Sequence, residues 1–193
     1  MRNFFAPSNK VSPENQSDLN NNGEAGAAST QINTDDANNL TLIEAASKGD
    51  IANVERLLRD SNERVKINST NELGATALML ASYSNYPEIV EKLIEAGADV
   101  NLATEKEGTT ALMEASDRGH FGVVEKLINA KADVDLTTKA GVTALMIASQ
   151  MGHSNVVDQL INAKANVDLA TKARITALML ASDLWGILGS LDN

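Results

Sequence analysis

One nine-residue string dominates this chain. It stands as Gly74-Ala75-Thr76-Ala77-Leu78-Met79-Leu80-Ala81-Ser82 and returns as Gly108-Thr109-Thr110-Ala111-Leu112-Met113-Glu114-Ala115-Ser116. It returns again as Gly141-Val142-Thr143-Ala144-Leu145-Met146-Ile147-Ala148-Ser149, and a last copy runs Thr176-Ala177-Leu178-Met179-Leu180-Ala181-Ser182. The threonines at 76, 110, 143 and 176 are spaced by 34, 33 and 33 residues. A degenerate earlier copy, Leu42-Ile43-Glu44-Ala45-Ala46 and then Gly49, precedes them. A period of this length marks stacked supersecondary units, each too small to bury its apolar face alone.

Every unit carries two helical patterns. Thr76 is suited to cap the first, its hydroxyl accepting an orphan backbone N–H. Leu78, Ala81 and Ser82 then fall at i, i+3 and i+4 on one face, and their small members let a neighbouring helix come close. In the second pattern Pro87 suits the first helical position, where its missing N–H costs nothing. Ile89, Val90, Leu93 and Ile94 form a broader apolar stripe. Gly97 suits a left-handed helix terminus, and Asp, Asn and Gly punctuate the link to Gly108. The expected fold is an all-α helix–loop–helix solenoid with short β-turn or hairpin tips.

Composition narrows the function classes. Aromatic residues are only 3% against 43% apolar, so the core must be aliphatic. A formal net charge of −10 repels phosphate backbones and anionic membranes, so neither nucleic acid nor membrane is an expected partner. The absence of cysteine removes disulfides, thiolate zinc sites and cysteine nucleophiles together. Met1 to Lys10 holds no continuous apolar run of the secretory kind, and no stretch approaches the length of a membrane span. A cytoplasmic protein, or one exported to a host cytosol without an N-terminal mark, is the expectation. Residues 1–38, rich in Asn, Ser, Gln and Asp without apolar period, read as a disordered tail.

The repeated residues resemble the ankyrin repeat. The best continuous match runs Gly141, Thr143, Leu145, Ala148, Gly152-His153, Val156-Val157, Leu160-Ile161, Ala165 and Val167. The resemblance covers residues 39–182 and divides into units 39–71, 72–104, 105–137, 138–170 and a partial 171–182. The departures are regular. The family proline is Ala at 77, 111, 144 and 177, and the family histidine is Met at 79, 113, 146 and 179. The usual His–Thr hydrogen bond is therefore expected to give way to an adaptable apolar side chain. Lys131 and Lys164 replace a loop glycine and Arg174 a turn glycine, each at about 1 kcal/mol if held left-handed.

No residue pattern points to catalysis. His120 and His153 occupy the same slot of two units, which a shared structural role explains. Glu91 and Glu125 precede Lys92 and Lys126 on solvated faces, and the glycines punctuate loops rather than cradle phosphates. No enzyme, cofactor or metal is expected. The resemblance implies instead a protein partner, met by loop tips and the inner face of the first helices. Mapped onto this chain, the tips bring Lys106, Glu107 and Lys139. The inner helices bring Leu80, Tyr83, Glu114, Asp117, Arg118, Ile147, Gln150 and Met151. Tyr83, Arg118 and Met151 are the expected anchors, because Tyr and Arg dominate hot spots and Met adapts. Leu80, Ile147 and Leu180 would form an apolar strip. Asn101 resembles the asparagine that intracellular hydroxylases modify in some ankyrin proteins, and a turn-stabilising role is its alternative.

The last unit stops after its first helix, and residues 183–193 do not resemble a second one. Leu184, Ile187, Leu188 and Leu191 could form a short amphipathic cap. A shifted reading frame is the other possibility: read from the last base of the Leu184 codon, the codons permit Met-Gly-His-Ile-Gly-Val-Val-Arg, which matches Met151 to Asp158 in register. The chain is thus expected to be a monomeric interaction scaffold with weak self-association through an uncapped end. The alternatives are a truncated regulatory or exported module of a longer ankyrin-repeat protein, or a degenerate fragment without function.

Overall fold

The computed structural model describes residues 41–59 and 67–182. The expected tail at 1–38, part of the first unit and the segment 183–193, with its possible cap or shifted frame, lie outside the described residues. Among those described, eight helices alternate along the chain. They are α1 Leu42–Lys48, α2 Ile51–Arg59, α3 Ala77–Tyr83, α4 Pro87–Glu95, α5 Ala111–Asp117, α6 Phe121–Asn129, α7 Ala144–Met151 and α8 Ser154–Asn162. Residues 177–182 are helical as well. The first helices α1, α3, α5 and α7 pack side by side in one row and the second helices in another. Each helix touches its own partner and the neighbours on either side, so the stack is held together joint by joint.

Local chemistry starts every first helix in the same way. The backbone N–H groups of Met79, Met113 and Met146 donate to the hydroxyls of Thr76, Thr110 and Thr143 at 3.2, 3.3 and 3.2 Å. In the degenerate first unit Thr41 does this together with Glu44, whose carboxylate reaches back to the Thr41 N–H in a capping box. Pro87 sits at the start of α4 as expected. The helices α1 and α7 end on Gly49 and Gly152 with φ of 75° and 74°.

The core lies where the small residues let the helix rows meet. Ala77, Leu78, Ala81 and their equivalents in α5 and α7 are buried, and so are Ile89, Val90 and Leu93 of α4. Met79, Met113 and Met146 are buried too, filling the slot of the family histidine with apolar volume. Lys131, Lys164 and Arg174 do adopt left-handed backbone, with φ of 66°, 70° and 63°. Asn85, at the slot held elsewhere by Gly119 and Gly152, joins them at 60°.

Two buried hydroxyls stand out from this apolar packing. Ser82 and Ser116 are fully buried, and their Oγ atoms find no hydrogen-bond partner. An unsatisfied buried hydroxyl costs on the order of 1–3 kcal/mol, and serine is a poorer helix former than alanine. Ser82→Ala and Ser116→Ala are each expected to stabilise the chain by about 1 kcal/mol. Urea denaturation checks this, and a midpoint that stays in place or falls would show that the hydroxyls are satisfied in solution.

A candidate protein-binding face

Within the first helices, the side chains that vary between units lie on one face. They sit four, seven and eight residues after the capping threonine, as Leu80, Tyr83 and Ser84, then Glu114, Asp117 and Arg118, then Ile147, Gln150 and Met151. This spacing is one helical face. Gln150 and Met151 are exposed, Met151 at 50%. Leu80, Tyr83, Asp117, Arg118 and Ile147 are half-buried, so the expected apolar strip is only partly open. Glu114, placed by sequence among the partner-facing residues, is the least accessible at 9%.

Arg118 does not reach its own i−4 neighbour, Glu114. Its guanidinium lies over the Tyr83 ring of the preceding unit, 4.1 Å from the centroid, and donates to the Tyr83 hydroxyl. Its Nε also lies 3.6 Å from an Asp117 carboxylate oxygen. The two expected anchors thus form one assembly across a joint between units. Glu114 stands outside this assembly, and its carboxyl makes no hydrogen bond or ion pair among the described residues. Burial, and then the nearby Asp117 carboxylate, push that carboxyl up to about 7.

The histidines serve the joints. His120 Nε2 lies 3.0 Å from the Tyr83 carbonyl, and His153 Nε2 lies 3.0 Å from the Asp117 carbonyl. A carbonyl only accepts, so each Nε2 carries the proton and donates. Burial, then Arg118 and His153, hold the His120 imidazole below its usual value, so it is neutral near pH 7. The first unit puts Asp50 at this slot, where it caps α2 through the Asn53 N–H at 3.1 Å.

The loops are clasped by a second ladder. Asn68 Oδ1 accepts from the Asp99 N–H, Asn101 Oδ1 from the Asp133 N–H, and Asp135 Oδ1 from the Asn166 N–H, at 2.9, 2.8 and 2.7 Å. Asn101 is exposed, yet its amide oxygen is engaged in this joint. Sequence reasoning offered Asn101 as a hydroxylation site or a turn-stabilising residue and missed the bond to the next unit. The recurrence of paired Asn or Asp at 99 and 101, 133 and 135, and 166 and 168 was the available signal. At the tips Lys106, Glu107 and Lys139 are exposed, and the Lys139 N–H donates to the Glu107 carbonyl at 2.9 Å. Isolated bridges such as Thr70 with Thr76 and Ala103 with Thr110 close the hairpin-like tips. Among the described residues no group of three or more His, Asp or Glu side chains could hold a metal, and no helix is long and apolar enough to cross a membrane.

The model of the family described as ankyrin repeats (3 copies) matches residues 42–139 and 112–190. The chain belongs to the ankyrin repeat family. Ankyrin repeats generally mediate protein–protein interaction, and ankyrin domains are typically non-enzymatic. The array is 46% identical over 61 residues to ankyrin repeat domain-containing protein 29 of Danio rerio, covering 32% of this chain and 20% of that protein. It is 43% identical over 61 residues to palmitoyltransferase akr1 of Schizosaccharomyces pombe, covering 32% of this chain and 9% of that protein. It is 39% identical over 64 residues to the mitochondrial disaggregase of Bos taurus, covering 33% of this chain and 9% of that protein. The matched stretch is therefore a fifth or less of each of these relatives.

Proposed function

We propose that this ankyrin array is a non-enzymatic scaffold. It holds one protein partner across the open face of the first helices and the adjoining tips, and Tyr83, Arg118 and Met151 are the anchors. One observation carries the reading. Within α3, α5 and α7 the residues that repeat from unit to unit are buried in the frame, whereas the positions that differ lie on one face and are accessible to some degree at all but Glu114. A rigid frame with variable accessible side chains is what recognition of a partner needs. Tyr83 and Arg118 are ordered against each other before any partner arrives, which lowers the entropic cost of binding.

Residues 39–182 are the binding unit in this reading. Partner-free chains are monomers with weak self-association through the end where Leu178 and Met179 are 78% and 52% exposed. Their equivalents Leu78 and Met79 are each at 2%. Asn101 is an accessible candidate for hydroxylation, with its ladder bond to the Asp133 N–H kept.

Affinity capture tests the anchors. Tyr83→Ala and Arg118→Ala are each expected to weaken retention of the partner by about tenfold or more, the range of a hot-spot truncation. Glu125→Ala, on the exposed side of α6, is the control. Equal retention by all three, with circular dichroism showing intact helix, would remove the anchors from the interface.

A further inference from the structure

We infer that Glu114 is the receptor for a basic side chain, Lys or Arg flanked by aliphatic residues, on the protein segment that lies across the open face. This deepens the scaffold reading above and rests on it. The argument starts from an internal comparison. At the position that Glu114 occupies, the degenerate first copy holds Glu44, which is exposed and engaged in the Thr41 capping box, and the later copies hold Leu80, Ile147 and Leu180. Inside the stack this slot takes an aliphatic residue, and the one other glutamate found there lies in solvent with hydrogen-bond partners of its own. Glu114 itself is 9% exposed, and its carboxyl makes no hydrogen bond or ion pair among the described residues. A buried, uncompensated carboxyl is a cost to folding, and such costs gather where a ligand will compensate them.

The surroundings define that ligand. Leu80 on α3 and Ile147 on α7 hold the equivalent positions on either side, both half-buried, so the walls are aliphatic. Arg118, one turn further along from Glu114, is engaged instead with the Tyr83 ring and hydroxyl. Asp117 adds negative charge on the same helix. The neighbouring first helices contribute no charge at their variable positions, which are Leu80, Tyr83 and Ser84 on α3 and Ile147, Gln150 and Met151 on α7. On α6, Glu125 is exposed, Lys126 is paired with Glu91, and His120 at its start is bonded to the Tyr83 carbonyl. The tips bring Lys106, Glu107 and Lys139. A slot with aliphatic walls and a central acid that lacks a counter-charge complements a cationic head on an apolar stem, which describes Lys or Arg.

Binding such a cation requires the ionised carboxylate, so association releases a proton. With a midpoint of about 7, roughly a tenth of the sites are ionised at pH 6 and nine-tenths at pH 8. The affinity for a Lys- or Arg-bearing segment should therefore rise about tenfold over that interval.

Panning a random twelve-residue peptide library on the wild-type chain, on E114L and on E114Q tests this, with every selected peptide re-measured against M151R. Wild type should enrich Lys or Arg between aliphatic residues. E114L and E114Q should lose the basic preference while their peptides still fail to bind the M151R chain. The tenfold rise from pH 6 to pH 8 should be present in wild type and absent in both Glu114 variants. If all three proteins select the same sequences and M151R blocks them, the open face binds peptides but Glu114 does not choose them, and this inference alone is overturned. If the selected peptides ignore M151R, or none is selected, the scaffold reading falls and the inference falls with it.

Discussion

Replacing Glu114 with leucine is expected to raise the melting temperature at pH 8 by roughly 8 °C and to leave it almost unchanged at pH 4. The folded-state midpoint of about 7 lies above the ordinary carboxyl value of 4.5, so the folded chain holds the proton more tightly than the unfolded one. A raised carboxyl midpoint gives full stability below about 4.5, loses it as pH climbs to about 7, and loses nothing further beyond. The displacement corresponds to about 3 kcal/mol, which leucine recovers by removing the charge. Calorimetric melts of both proteins from pH 4 to pH 8 should diverge as pH rises, the wild type falling away from E114L. Parallel curves would mean that Glu114 ionises in the folded chain as freely as it does in water. A large gain would also fit a position kept for binding at the expense of stability.

The second large effect is expected at Gly119. Its φ is +68°, where alanine is strained by about 1 kcal/mol, and a Cβ there would stand 2.6 Å from Nδ1 of the His153 ring. That ring cannot move away without loosening its bond to the Asp117 carbonyl. Gly119→Ala should therefore cost about 3 kcal/mol, the backbone strain plus a displaced, half-buried imidazole. Gly97→Ala is the comparison, since Gly97 has φ +91° but nothing within 4 Å of its Cβ position. It should cost only about 1 kcal/mol. In a His153→Ala background the penalty of Gly119→Ala should shrink by about 2 kcal/mol to the strain alone, the signature of two groups in contact. Chemical denaturation of the single and double variants measures all three quantities. A penalty at Gly119 no greater than at Gly97 would exclude the ring contact.

Why these positions matter was only partly legible in the sequence. The threonine caps, the aliphatic core and the methionines in the histidine slot follow from periodicity and local chemistry, which a single chain displays openly. Lys131, Lys164 and Arg174 could be read as left-handed because glycine marks their slots. Asn85 could have been read the same way from Gly119 and Gly152. The depth of Glu114 could not, because it depends on how closely the neighbouring helices approach it through space. The choice of Arg118 is similar. Spacing along the helix offers it Glu114, whereas the neighbouring unit offers an aromatic face and a hydroxyl, and only the geometry of the joint decides between them. The periodicity located the open face, and the contacts across the joints determine which of its members carry charge into a poorly hydrated setting.

The loop ladder gives the array a kind of grammar. At each described joint the earlier unit supplies an Asn or Asp side-chain oxygen and the later unit a backbone N–H. Every seam is therefore made by the same rule, whichever two units meet there. Excising residues 105–137 would bring the Asn101 oxygen opposite the Asn166 N–H, a pairing of the same kind as those it replaces. A gene that gained or lost one period would lengthen or shorten the recognition surface without designing a new core. Specificity in such a chain can drift unit by unit while the fold that displays it is inherited intact.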